Sequence, residues 1–251
     1  AHTLPRHRQP APIALAVRFI WDQGGEAGAW AALAPFGYGR FFYLKQLKAL
    51  MQAASVNGRL NEEAAYRASQ LPSLRSATSH GAHVMSLMSG WKNAMVPRPR
   101  AFQSSPPING QPPGGRSDIA FVQLKAQALD DPSGGWLDHD ALAGMYAIRW
   151  YARQAHGASR ASRVIINLSY GPQTGPHDGS SVLETAMQEL INEAPNDSSP
   201  YDLQIVLPAG NNHLLKAHAE FDLDRGGGDV AGCVAPDSQV PAYLEIWLPR
   251  G

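Results

Sequence analysis

The chain has 251 residues, and its 21 Lys and Arg balance its 21 Asp and Glu, so the formal net charge is zero. This length allows one large α/β domain or two small ones, and the even charge gives no indication of a nucleic acid or an anionic membrane as partner. A single cysteine, Cys233, excludes an internal disulfide. No apolar run reaches the roughly 20 residues of a membrane span, and the sequence leaves the cellular compartment open.

The first quarter of the chain predicts an arm, a strand and two helices. Residues 1–12 are basic and rich in proline, which is typical of an extended arm before a domain at 13–251. Because the chain begins with alanine, we expect a processed product or a fragment. The apolar, β-branched stretch 13–22 predicts a buried strand. Leucine spacing predicts a helix over 41–55, and Asn61 is expected to cap the next helix.

The remainder of the chain predicts alternating helices and strands. The motif SHGAHV at 79–84 begins a third helix, and the Pro- and Gly-rich stretch 96–117 is expected to be a loop. We predict strands at 118–126, 163–171, 201–211 and 242–249, with helices at 136–156 and 180–194, the latter with a serine N-cap. This order favours an α/β fold in which a mostly parallel sheet has helices on both faces. The functional groups of such sheets lie at the carboxyl ends of the strands.

Three motifs follow one another in a characteristic order: SHGAHV at 79–84, VIINLSYG at 164–171 and VLPAGNN at 206–212. In this order they resemble the subtilisin-like serine peptidases, the subtilase family, and most closely a group of large bacterial members. The resemblance covers about residues 76–213. It implies a subtilisin-like fold, incomplete at its C-terminal side, and hydrolysis of a polypeptide substrate through an acyl-enzyme.

The resemblance also implies roles for individual residues. His80 matches the general base that takes a proton from the serine hydroxyl, whereas His83 matches a structural neighbour. Asn211 matches the amide that donates to the oxyanion. Ser169, Tyr170 and Gly171 match the segment along which the substrate backbone adds as an extra strand.

Two parts of the catalytic machinery depart from the family pattern. No Gly-Thr-Ser-Met-Ala motif follows Asn211, and Ser180 and Ser181 precede that residue, which is the wrong order for the nucleophile. Asp22, in FIWDQG, is the candidate triad acid; the alternative is an aspartate in a loop that this chain lacks. We therefore expect the chain alone to be weak or inactive and to need a missing C-terminal segment or another chain. A non-catalytic, subtilase-like peptide-binding or scaffold protein is the alternative from a different class.

Metal sites are the remaining alternatives. His80 and His83 are three residues apart, but no acid or cysteine lies close by in sequence, which disfavours zinc. No cofactor is expected, although the stretch 222–229 leaves a calcium loop open, with oxygen ligands from its three aspartates, Asp222, Asp224 and Asp229.

Two further stretches carry structural expectations. His139 lies between Asp138 and Asp140, which we interpret as a solvated helix start. The strand predicted at 242–249 is at risk of lying on an unprotected edge.

Overall fold

The chain forms two compact units, Ala1–Gln123 (unit 1) and Leu124–Gly251 (unit 2), in a computed structural model. None of the helices in the described part of the chain is long and apolar enough to cross a membrane. The structure describes residues 17–24, 35–70, 81, 84–85, 118–130, 134–156, 162–171, 174–176, 178–196, 200–211, 218–220, 222, 229, 231–232 and 242–248.

A small mixed sheet forms the centre of unit 1. The elements are β1 (Val17–Asp22), β2 (Arg40–Tyr43), α1 (Leu44–Ala53), β3 (Ser55–Val56), β4 (Arg59–Leu60), α2 (Glu62–Ser69) and β5 (Ile119–Gln123). The strand β1 is central, antiparallel to β2 and parallel to β5. Val17, Phe19 and Trp21 are buried, so the buried strand predicted at 13–22 is confirmed over β1, while residues 13–16 lie outside the described part.

The helix predicted from residue 41 begins three residues later, because 40–43 form β2. Phe41 and Phe42 are almost fully buried, and the Phe41 ring lies 4.1 Å from that of Phe19 on β1. Aromatic side chains pack well on a pleated surface. Pairing with β1 therefore overrides the helical spacing of the leucines that follow.

The hairpin β3–β4 was not predicted, because residues 41–55 were expected to be helical and Asn61 to cap the next helix. Its turn is Asn57-Gly58, and both residues have positive φ, 51° and 73°. Asn-Gly is the dipeptide that a two-residue hairpin turn favours, so the signal was present in the sequence. The predicted cap of α2 is confirmed, because Asn61 Oδ1 accepts the Ala64 N–H at 3.1 Å.

Unit 2 combines two parallel strands with helices. Its elements are α3 (Ala126–Asp130), α4 (Gly135–His156), β6 (Ser162–Asn167), α5 (Val182–Glu193), a 3₁₀ turn (Ala194–Asn196) and β7 (Tyr201–Val206). The strands β6 and β7 pair in parallel over their whole length. Both predicted long helices are confirmed, whereas the strand predicted at 118–126 stops at Gln123 and gives way to α3.

The core of unit 2 lies between one face of the β6–β7 pair and the helices α4 and α5. The opposite face is open within the described part of the unit: Ile165 is 50% exposed, and Arg163 pairs with Asp202 across the strands at 2.8 Å. Parallel strands and helices are thus present, and the larger subtilisin-like sheet stays a prediction. The buried side chains of this core are Leu137, Ala141, Met145, Ile166, Leu183, Met187, Leu190, Ala194, Tyr201 and Leu203.

Residues 242–248 do not form the predicted strand. They have no regular secondary structure, and Leu244 and Ile246 are 89% and 79% exposed. The segment is attached through Glu245, whose Oε2 accepts the Gly175 N–H at 2.8 Å. A β-prone sequence needs a neighbouring strand to satisfy its backbone, and none of the described strands pairs with this segment.

Candidate functional site

The candidate site residues are divided between the two units. Asp22 belongs to unit 1, whereas Ser169, Tyr170, Gly171 and Asn211 belong to unit 2. His80 and His83 lie outside the described residues.

Asp22 is the last residue of β1 and is 4% exposed. Its Oδ1 accepts the Gly24 N–H at 3.1 Å. The Gln23 N–H donates to the Gln123 carbonyl at 3.0 Å and extends the β1–β5 pairing one residue past Asp22. The carboxyl group is therefore fixed at the carboxyl end of a strand that is paired on both sides, as a residue that orients a catalytic histidine would need to be.

Burial dominates the electrostatics of this carboxyl group. Desolvation raises the pKa of Asp22, while the Gly24 N–H and the positive charge of Arg40 act in the opposite direction. Arg40 is directly across from Asp22 in the β1–β2 register, and its guanidinium donates to the Gln70 carbonyl. A cation thus stands beside the end of β1 and favours the ionised form of the acid.

Gly39 allows the chain to pass close to the end of β1. Its φ is +73°, and a Cβ atom at this position would lie 2.5 Å from Trp21 Nε1 and 2.6 Å from the Asp22 carbonyl oxygen. Trp21 Nε1 in turn donates to the Tyr38 carbonyl at 3.3 Å. Only glycine fits this approach without a shift of β1, so Gly39 helps to define the position of Asp22.

Gly81, the residue after His80, packs on the same sheet. It is helical, and a Cβ atom on it would lie 3.3 Å from two ring carbons of Phe121 on β5. Phe121 is paired with Ile20, two residues before Asp22. The SHGAHV motif therefore contacts the sheet that carries the candidate acid, through a residue whose small size makes the contact possible.

Ser169, Tyr170 and Gly171 follow the carboxyl end of β6. The Leu168 N–H donates to the Val206 carbonyl at 3.0 Å and prolongs the pairing with β7. Asn167 Nδ2 donates to Ser169 Oγ at 2.7 Å, and the Tyr170 hydroxyl donates to the Leu129 carbonyl at 3.1 Å. Side chains on both sides of Ser169 thus hold this segment.

Asn211 lies five residues beyond the end of β7, directly after Gly210, whose φ is +86°. It is exposed, and none of the other described residues hydrogen-bonds its amide. Because β6 and β7 are adjacent and parallel, Asn211 and the segment after β6 both follow the same end of the strand pair. The sequence-predicted residues of unit 2 are therefore brought to one edge.

Asp140 departs from the interpretation of its segment as a solvated helix start, although α4 does begin at Gly135 and His139 is largely exposed. Its side chain is completely buried, and its Oδ1 lies 3.3 Å from Lys125 Nζ and 3.0 Å from His139 Nδ1. The signal was available, since Asp140 comes three residues after the buried Leu137 and falls on the same face of α4. Asp138 is only partly buried, and desolvation raises the pKa of its carboxyl group.

The zinc alternative is untested, because His80 and His83 lie outside the described residues. In the described part of the chain no three His, Cys, Asp or Glu side chains are grouped as metal ligands. Asp222 and Asp229 are exposed, and Asp224 lies outside the described residues, so calcium binding is untested. Ser181 is the N-cap of α5 and accepts the Glu184 N–H at 3.2 Å, which gives this serine a structural role.

Comparison with known proteins identifies no relative. No protein-family model matches the chain, and no curated protein and no solved structure shows significant similarity to it. The assignment to a family therefore depends on the three sequence motifs and on the positions of Asp22, the segment after β6 and Asn211, and it is a proposal.

Proposed function

We propose that the chain is a subtilisin-like serine endopeptidase domain that hydrolyses polypeptides through an acyl-enzyme. The observation that carries the proposal is the parallel β6–β7 pair, which brings the Ser169–Gly171 segment and Asn211 to one end of a sheet. These are the residues that the motif order assigns to substrate binding and to the oxyanion. The buried position of Asp22 at a strand end is a second supporting observation.

In the proposed mechanism each residue has one task. His80 takes the proton of the serine hydroxyl and returns it to the leaving amine, and Asp22 orients the imidazole. The Asn211 amide donates to the oxyanion of the tetrahedral intermediate. These interactions strengthen as charge develops, so they lower the barrier rather than bind the ground state.

An open backbone edge supports the binding of an extended peptide. Within the described part of unit 2, β6 pairs only with β7, and the amides of Ser169 and Gly171 make no backbone hydrogen bond. An added peptide strand could therefore pair with this segment through its own N–H and C=O groups. The side-chain preference of the substrate is not defined by these contacts.

The sequence contains no Gly-Thr-Ser motif after Asn211, so we propose that a different polypeptide segment supplies the nucleophile. We expect the complete gene product to react with a fluorophosphonate probe and the 251-residue chain to remain unlabelled. His80→Ala should lower labelling of the complete product at least about 1000-fold, because the base and the serine act as one unit. His218→Ala is the matched control and should label normally, since that imidazole is exposed.

A non-catalytic peptide-binding protein is the second candidate, and the open edge after β6 favours it if no nucleophile exists. An unlabelled complete product would contradict the peptidase proposal. If the amide resonances of Ser169 and Gly171 then shift on addition of an extended peptide, the binding function stands without catalysis. Labelling of the 251-residue chain that His80→Ala abolishes would instead contradict its expected inactivity.

A further inference from the structure

The hydroxyl of Tyr170 ties the candidate substrate-binding segment to a neighbouring helix. It donates to the carbonyl of Leu129 on α3 at 3.1 Å, and the side chain packs against the core of unit 2. Ser169 precedes and Gly171 follows this anchor directly. The backbone groups of Ser169 and Gly171, with which a peptide would pair, therefore lie on either side of Tyr170. The ring of Tyr170 is held by packing and its hydroxyl by a hydrogen bond.

The helix that receives this hydroxyl is itself anchored by a buried charge. The Lys125 carbonyl accepts the Ala128 N–H at 3.1 Å and begins the turn of α3. Lys125 Nζ lies 3.3 Å from Oδ1 of Asp140, whose side chain is completely buried in α4. A continuous series of contacts thus runs from Asp140 through Lys125 and α3 to Tyr170.

We propose that Tyr170 and the Asp140–Lys125 ion pair are positioning residues that fix the Ser169–Gly171 segment for an incoming peptide. This inference rests on the proposed peptide-binding function of that segment. A buried ion pair tolerates little displacement, because separating the charges leaves Asp140 without compensation. Recognition through an added strand needs backbone donors and acceptors that stay within about 0.5 Å of the pairing geometry. Pairing between β6 and β7 alone does not fix the segment that follows β6 this closely.

The first test measures the order of the segment in the 251-residue chain without any ligand. We expect NMR order parameters of the Ser169 and Gly171 amides near 0.85 in the wild type and below about 0.6 in Tyr170→Phe. Tyr146→Phe is the matched control, because Tyr146 is 43% exposed and its hydroxyl bonds to none of the described residues. Unchanged order parameters in Tyr170→Phe would overturn the inference.

The second test removes the ion pair. Asp140→Asn is the minimal change, and Lys125→Met combined with Asp140→Leu removes both charges without leaving one buried, so that the fold is retained. We expect both variants to lower the same two order parameters, whereas Asp138→Asn on the same helix should not. If the folded double variant keeps the wild-type order parameters at Ser169 and Gly171, the ion pair has no positioning role.

The third test separates this inference from the proposed function. A soluble, unstructured hexapeptide titrated onto the wild type should shift the Ser169 and Gly171 resonances, and Tyr170→Phe should weaken its binding about fivefold, as expected for one hydrogen bond. Equal affinity in the two proteins would overturn the positioning role and leave peptide binding intact. No binding to the wild type, with lowered order in Tyr170→Phe, would overturn the peptide-binding function and support the positioning role.

Discussion

At the scale of single residues, the buried carboxyl group of Asp22 couples the stability of the protein to pH. Burial raises its pKa above the ordinary value of 3.8, so the folded chain keeps this proton to a higher pH than the unfolded chain does. Stability is then lost as the pH rises from below 3.8 through the raised pKa. We expect Asp22→Asn to gain stability relative to the wild type at pH 7 and not at pH 3, as measured by urea unfolding.

The Asn side chain can still accept the Gly24 N–H, so the comparison isolates the charge. Asp229→Asn is the control for loss of a charge at an exposed position, and it should change the free energy of unfolding at pH 7 much less than Asp22→Asn does. A constant difference between Asp22→Asn and the wild type at both pH values would contradict the raised pKa.

Gly39 offers a second test at this scale, with Gly37 as its matched control. Both have φ near +74°, but only Gly39 has atoms within 4 Å of an added Cβ, the nearest being Trp21 Nε1. Gly37→Ala should cost about 1 kcal/mol in the free energy of unfolding, from backbone strain alone. Gly39→Ala should cost about 2 kcal/mol more, because β1 must shift. Equal losses in urea unfolding would exclude the close approach.

At the scale of secondary-structure elements, the capping box of α5 is a local test of the fold. Ser181 Oγ accepts the Glu184 N–H at 3.2 Å, and Glu184 Oε2 accepts the Ser181 N–H at 3.2 Å. Ser181→Ala should therefore lower the free energy of unfolding by about 1 kcal/mol. Ser180→Ala, one residue earlier, should be nearly neutral, and a similar loss in both would contradict the capping role.

The elements also mark the limits of prediction from sequence. Long helices such as α4 and α5, the N-cap Asn61 and a serine N-cap for α5 follow from local patterns and were predicted. Strand formation was predicted less well, because it depends on which segments pair with one another, which is not a local property. The strand β2 was missed, β5 ends earlier than predicted, and the segment 242–248 forms no strand. Asp22 and Asn211 were proposed as site residues from sequence motifs. The pairing of Asp140 with Lys125 could not be predicted, because it depends on which side chains are buried together.

At the scale of the whole molecule, the two most exposed large apolar side chains among the described residues are those of Leu244 (89%) and Ile246 (79%), both in the segment 242–248. Contiguous apolar surface of this kind promotes association. Leu244→Ser combined with Ile246→Ser should reduce light scattering on heating while changing the free energy of unfolding by less than about 0.5 kcal/mol per site. Val182→Ser, at an apolar residue of another segment that is 74% exposed, should leave scattering unchanged.

The packing around β1 has a spectroscopic consequence. Trp21 is fully buried, and its ring centroid lies 4.9 Å from that of Phe36 and 5.2 Å from that of Tyr38. An indole in such surroundings emits at short wavelength, and its emission moves to longer wavelength when water reaches it. In a variant with phenylalanine at the other five tryptophan positions, the wavelength of the fluorescence maximum would show whether the strand that carries Asp22 is intact.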